Sequence, residues 1–204
     1  MSRTFARRVT ESQTTQQPSS RPSVAVVGVR QEHAPPPRPL LNWCTFRQGP
    51  HLISLSIIDY YHTQLISNLN CPPTLRALSN FTGFGFIDGD QYQPGGSSAL
   101  GVHWPTAHAA SLQNVVFQMS DAPGSQHQGT FIESGSGGFM NDLVFHGRTN
   151  SVAFGNQQFT MRNLTFYNAV TAIDQIWDWG WTYKSIPINN CSLGVNMASG
   201  GPTS

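Results

Sequence analysis

Leu112-x-Asn114-Val115-x-Phe117, Met140-x-Asp142-Leu143-x-Phe145, Met161-x-Asn163-Leu164-x-Phe166 and Tyr183-x-Ser185-Ile186-x-Ile188 are four copies of one short pattern. Each has an apolar residue, a small polar residue two places on, an aliphatic, and a closing Phe or Ile. The closing positions are 117, 145, 166 and 188, one longer interval followed by two nearly equal ones. Self-similarity at a period of about 20–50 residues signals a solenoid. The copies are too short for paired helices, and their β-branched and aromatic residues alternate at period two, as in strands. Between them lie further strand-like runs at Gly129–Glu133, Ser151–Phe154 and Ala172–Trp177. Two or three short strands per repeat describe a rung of a parallel β-helix, with rungs stacked about 4.8 Å apart over a continuous apolar core.

The polar members Asn114, Asp142, Asn163 and Ser185 are expected to stack at a corner as a ladder inside the coil. There they would hydrogen-bond the bend and one another. On this reading Asn163 is buried and Asp142 is a structural acid.

Composition agrees with an all-β chain. Of 204 residues only 10% are charged, while 19 are Gly and 14 Pro. Charge is unevenly placed. Residues 1–50 hold seven Arg and two Glu (+5), whereas 51–204 hold four Lys or Arg and eight Asp or Glu (−4). Two kinds of material are therefore expected: a disordered Arg/Pro/Gln-rich segment at 1–50, and a partial parallel β-helix domain at 51–204. In the first, only Val24–Val29 shows any pattern. Arginines without interleaved aromatics argue against nucleic acid as a partner. No apolar run reaches the ~18 residues needed to span a membrane, and MSRTFARRVTESQ lacks the apolar stretch of a signal peptide. Leu193–Met197 reads as a rung strand with nothing stacked on it, so the coil reads as cut off.

Cys44, Cys71 and Cys191 have no metal-ligand spacing, and the seven His are scattered, so no metal or other cofactor is expected. A Cys71–Cys191 bridge and free thiols are both open. Trp177-Asp178-Trp179-Gly180-Trp181-Thr182-Tyr183 places four aromatics on one face at period two. In a groove they would stack on pyranose rings; otherwise they fill the coil, as Tyr183 would from the repeat position of Met161. Glycoside hydrolysis needs two groups roughly 5–9.5 Å apart. Only one Glu, Glu133, lies in 51–204, and its Asp residues fall in turns or ladder positions, with Asp174 and Asp178 on the aromatic rung. No catalytic pair emerges. The amides of Gln126-His127-Gln128 and Gly155-Asn156-Gln157-Gln158 suit sugar hydroxyls or turns equally.

Several stretches together closely resemble fungal glycoside hydrolase family 55: IIDYYHTQLI at 57–66, FGFIDGDQY at 84–92, HWPT at 103–106, SLQNVVFQMS at 111–120, GGFMN at 137–141, FGNQQF at 154–159 and 177–184. The similarity runs from about 51 to 197. It implies a right-handed parallel β-helix of the pectate-lyase-like superfamily, incomplete here. It also implies exo-β-1,3-glucanase activity with β-1,3-glucan as partner, an extracellular location, and a second β-helix in the same chain. In the family that second helix carries the general acid, so Glu133 does not inherit the role, and the catalytic residues are left unassigned. Gln157 and Gln158 are the positions carried over to the substrate cleft, beside Trp177, Asp178 and Trp179 from the aromatic motif. The resemblance implies family strands between Gln93 and His103 that are not recognisable here, so a deleted rung is expected, and 1–50 do not resemble the family start. The expectation is a truncated or mis-spliced glucanase fragment, inactive by itself. The alternatives are a non-catalytic or vestigial glucan-binding module and a pectinolytic relative, the last disfavoured because the negative body would repel polygalacturonate.

Overall fold

The computed structural model describes residues 24–27, 42–59, 63–68, 70–89, 100–105, 108–147 and 149–197. They form strands and no helix: β1 (Val24–Val27), β2 (Asn42–Thr45), β3 (Pro50–Ile58), β4 (Thr63–Ile66), β5 (Thr74–Asp88), β6 (Leu100–His103) and β7 (His108–Gln118), then β8 (Gln128–Ile132), β9 (Ser136–His146), β10 (Asn150–Tyr167), β11 (Thr171–Trp179), β12 (Thr182–Lys184), β13 (Ile188–Asn189) and β14 (Leu193–Asn196).

Pairing is parallel almost throughout and winds into an incomplete β-helix with three faces. On the first face the end of β5, then β6, β8, the start of β10, β11 and β14 pair in succession. On the second, the start of β7 pairs with the start of β9, then the middle of β10, then β12. On the third, the ends of β7, β9 and β10 pair in turn, followed by β13.

The four sequence copies stack in register. Leu112, Met140, Met161 and Tyr183 pair across the second face, and Phe117, Phe145, Phe166 and Ile188 across the third. The phenyl rings form a column, with Phe117 and Phe145 centroids 4.7 Å apart at 2° and Phe145 and Phe166 4.9 Å apart at 8°. That spacing is the rung repeat itself, so each turn presents the same shape to the next. Leu143, Met161, Leu164 and Phe166 are wholly buried beside it. The small residues of the first face make room: a Cβ on Gly129 would come within 2.6 Å of Phe145 Cδ1.

The polar member of each copy bends the chain between the second and third faces. Asn114, Asp142, Asn163 and Ser185 all have φ between 55° and 58°, the left-handed region that Asn and Asp tolerate better than other side chains. Asn163 Nδ2 donates to Asp142 Oδ1 at 2.5 Å, so the ladder exists between these two rungs. It lies on the outer side, however. Asn163 and Ser185 are exposed and Asn114 and Asp142 half-buried, which corrects the expectation of a ladder inside the coil and of a buried Asn163. The reason is steric: the aliphatic and aromatic neighbours fill the interior, and a left-handed bend turns its side chain outward. A second pair, Asn190 Nδ2 to Asn168 Oδ1 at 2.8 Å, marks the bend between third and first faces, again at positive φ.

The rungs before His108 are less regular. First-face partners fall at 58, 88, 103, 131, 153, 174 and 196, evenly spaced only from 131 onward. The step from Asp88 to His103 is half the one before it. β2 and β4 stand apart as a two-stranded sheet, and β1 lies antiparallel between β5 and β7. Within 1–50 the described residues are β1 and 42–50. Residues 1–23 and 28–41 lie outside the described residues, as do the loop at 93–98 and Tyr60–His62. Cys71 and Cys191 are free thiols, which settles that alternative against a bridge. On the last rung Leu193, Val195 and Met197 are 44–59% exposed.

Candidate functional site

Residue 177 onward does not keep one period. Gly180, at φ 71°, turns the chain between β11 and β12, so the four aromatics do not share a face. Trp181 and Tyr183 pack on the core: Trp181 stacks on Phe159 at 5.5 Å and its Nε1 donates to Asn156 O at 2.7 Å. Tyr183 donates its hydroxyl to Gln175 Oε1, and burial raises its pKa, with the Asp178 charge adding. Gln175 Nε2 in turn donates to Trp177 O at 2.7 Å. This buried network fixes β11 at its bulge, where Phe154 pairs with Gln175 but Gly155 with Trp177.

Trp177 and Trp179 are what remains at the surface. Trp177 is half-buried; a Cβ on Gly155 would sit 2.7 Å from its Cδ1, so the indole occupies the space a side chain would take. Trp179 is 57% exposed, on the part of β11 that lies beyond the pairing with β14, which reaches only Thr171–Asp174. In register, Asn156 pairs with Asp178 and Gln157 with Trp179. Gln157 is half-buried and faces Ser136 on its other side in the ladder. Gln158 is exposed at φ 60°, on the corner where the equivalent turns use Gly137 and Gly180. Asp178 Oδ1 accepts the Trp181 amide at 3.3 Å, closing the turn. The structure thus brings Gln157, Trp177, Asp178 and Trp179 together on adjoining strand ends, with Gln158 at their corner.

A second cluster was not singled out from the sequence. His103 is 1% exposed, as is Asp88. Its Nδ1 lies 2.8 Å from Asp88 Oδ1 and its Nε2 2.9 and 3.1 Å from the two oxygens of Glu133. Phe84 meets the ring edge-on at 4.7 Å and Phe131 stacks on it at 5.5 Å. Burial alone would lower the His103 pKa; the hydrogen bonds to Glu133 and Asp88, with their charges, outweigh it, and the net shift is upward. A ring that donates from both nitrogens is an imidazolium. The signal lay in FIDGD and HWPT, which the shortened turn brings onto adjacent rungs, but in sequence the histidines look scattered.

These clusters share the first face. Glu133 follows Ile132, the partner of Phe154, so it is level with Gly155 and Trp177 and two rungs from the latter, about 10 Å along the stack. Both Glu133 oxygens are engaged as acceptors, the opposite of a general acid's task. Other carboxylates are similarly used: Asp142 by Asn141 and Asn163, Asp174 by Asn196. Asp59 differs. Burial raises its pKa to about 6, and its Oδ1 has no partner. It lies five first-face rungs from Trp177, roughly 24 Å, too far to act at the same site. Among the described residues no group of His, Cys, Asp and Glu is arranged to hold a metal ion.

The sequence profile of the family described as rhamnogalacturonase A/epimerase, pectate lyase-like, matches residues 46–101 and 96–196. A probable glucan endo-1,3-beta-glucosidase of Arthroderma benhamiae is 39% identical over 76% of this chain and 21% of its own length. A glucan 1,3-beta-glucosidase of Cochliobolus carbonum is 38% identical over 75% of this chain and 23% of its own. A protein of Penicillium expansum named non-secreted LysM effector LysM15 is 36% identical, over 76% and 13% respectively. The chain therefore spans about a fifth of the length of the glucosidase relatives it matches.

Proposed function

The chain belongs to the pectate-lyase-like family of rhamnogalacturonase A and the epimerases, and from that premise we propose that its coil binds β-1,3-glucan across the face carrying Gln157, Gln158, Trp177, Asp178 and Trp179. The observation that carries the reading is Trp179, exposed beside a second indole and in register with Gln157. An exposed indole offers an apolar face to the axial hydrogens of a pyranose, and flanking amides fit its hydroxyls. The net charge of −4 over 51–204 favours a neutral glucan over polygalacturonate. The names of two relatives, both glucan 1,3-β-glucosidases, agree with that substrate; one name specifies endo cleavage. Exo cleavage rests on the resemblance to glycoside hydrolase family 55 alone. An extracellular location and a second β-helix as partner rest there too, the Penicillium relative being named non-secreted.

The same geometry favours binding without hydrolysis by these residues alone. Glu133, Asp88, Asp142, Asp174 and Asp178 all accept hydrogen bonds that hold the coil, so each of these carboxyl groups already has a structural task. The test is glucose release from laminarin by the purified chain, with Glu133→Gln alongside. No release, together with retention on a laminarin matrix, is the expected result. Release abolished in Glu133→Gln would make Glu133 catalytic and overturn the assignment.

A further inference from the structure

We propose that the third face contains a strand-accepting slot, between β5 and β7, that takes an extended apolar peptide, and that Val24–Val27 of the chain's own N-terminal segment is its occupant. The argument starts from spacing. A third-face strand precedes each regular first-face strand: 115–118 before β8, 143–146 before β10, 164–167 before β11. Apart from β1, the described residues place no strand between Thr74–Arg76 and Val115–Gln118, whose edges face each other one rung apart. Strands separated by a vacant rung are about 9.6 Å apart, too far to pair and wide enough for one strand. Unpaired, those two rows of amides and carbonyls would be a desolvated liability beside Leu75, Val115 and Phe117, each no more than 1% exposed.

β1 satisfies both rows. Ala25 pairs with Leu75 on one side and Phe117 on the other; Val24 pairs with Arg76 and Gln118, and Val26 with Thr74 and Val116. It runs antiparallel where every coil strand pairs parallel, as befits a strand delivered from outside the winding. Its sequence, VAVV, is the only apolar run of four in residues 1–41 of an otherwise polar, Arg- and Pro-rich segment. The chemistry the slot selects is thus backbone hydrogen bonding on two edges, the recognition mode of an added β-strand.

Ala25→Pro in the full chain tests this, because proline removes a ladder donor in a strand paired on both sides. Hydrogen exchange should be slow at 74–76 and 115–118 in the natural chain and faster by at least about tenfold in the variant, while 159–167 keeps its protection. Adding the synthetic peptide RPSVAVVGVR to the variant should restore the protection. Equal exchange in both chains would overturn the proposal. Should Ala25→Pro fail to fold, a Val24→Cys/Gln118→Cys pair answers instead. An intramolecular disulfide under mild oxidation supports the slot filled from its own chain. Persistently free thiols, or a disulfide only between two molecules, refute it.

Discussion

From Leu112 to Ile188 each turn repeats the last in strand order, with one register shift at the bulge between β10 and β11, whereas from Pro50 to His103 a long turn is followed by one half its length, and the register of β3 on β5 shifts twice. The two regions meet the same requirement, satisfied backbone edges over a closed core, by different means. The later turns do it by self-similarity: the side chain that fills one rung is the shape the next one needs. The earlier turns lack that option, because their first-face steps differ twofold in length. They recruit β1 for the empty slot and set β2 and β4 apart, and the buried His103 between Asp88 and Glu133 lies at this junction. Regularity supplies the scaffold, and polar chemistry gathers where it is interrupted or turned.

That contrast can be tested at decreasing scale. Phe145→Ala, in the middle of the phenyl column, should cost about 3–5 kcal/mol, since both neighbouring rings lose their partner and the rigid rungs cannot collapse on the cavity. Urea unfolding of the purified chain reads this directly, and a loss under about 1 kcal/mol would mean the column is not the core's main support. At the irregular junction, His103→Leu should cost roughly 3 kcal/mol by leaving the buried Asp88 carboxylate without its imidazolium. The pH dependence is specific. The folded state favours protonation of His103, so its contribution is fully present below the ordinary 6.5 and is lost as pH rises through the higher folded value. The gap between the natural chain and His103→Leu should therefore narrow in alkaline buffer; a gap constant with pH would refute the imidazolium.

Asp59→Asn should do the reverse of damage. Its pKa, raised to about 6 by burial, means that the folded state prefers the neutral acid, and stability falls as pH rises from about 4 through 6. The amide removes that penalty, with a gain on the order of 1 kcal/mol at pH 7 after allowance for partial exposure, and with a flatter pH profile in thermal melts. Smaller still, Gln158→Gly relieves a left-handed backbone at φ 60° and should stabilise by up to about 1 kcal/mol. If it stabilises while weakening glucan retention, Gln158 is kept at that corner for contact with ligand; unchanged retention would make it an ordinary corner residue.

Much of the regular region is legible in sequence because its periodicity is its physics. Leu112, Met140, Met161 and Tyr183 align in the chain as they do in space, and each polar member sits at a bend. What the pattern does not carry is direction. A left-handed corner turns Asn163 outward, and Gly180 breaks the aromatic alternation, so that Trp181 and Tyr183 enter the core while Trp179 stays exposed. The His103 cluster was harder, since Asp88, His103 and Glu133 come from turns of unequal length whose register no repeat announces. β1 was hardest, because its pairing depends on a gap elsewhere in the chain.

The first experiment is a tryptophan-fluorescence titration of the purified chain with laminari-oligosaccharides, run in parallel on Trp179→Ala and with oligogalacturonate as control. A saturating change with the β-1,3-glucan, weakened about tenfold or more in Trp179→Ala and absent with the acidic sugar, is the expected outcome. Equal titration of Trp179→Ala, or a response to oligogalacturonate alone, would remove this face of β10 and β11 from glucan recognition.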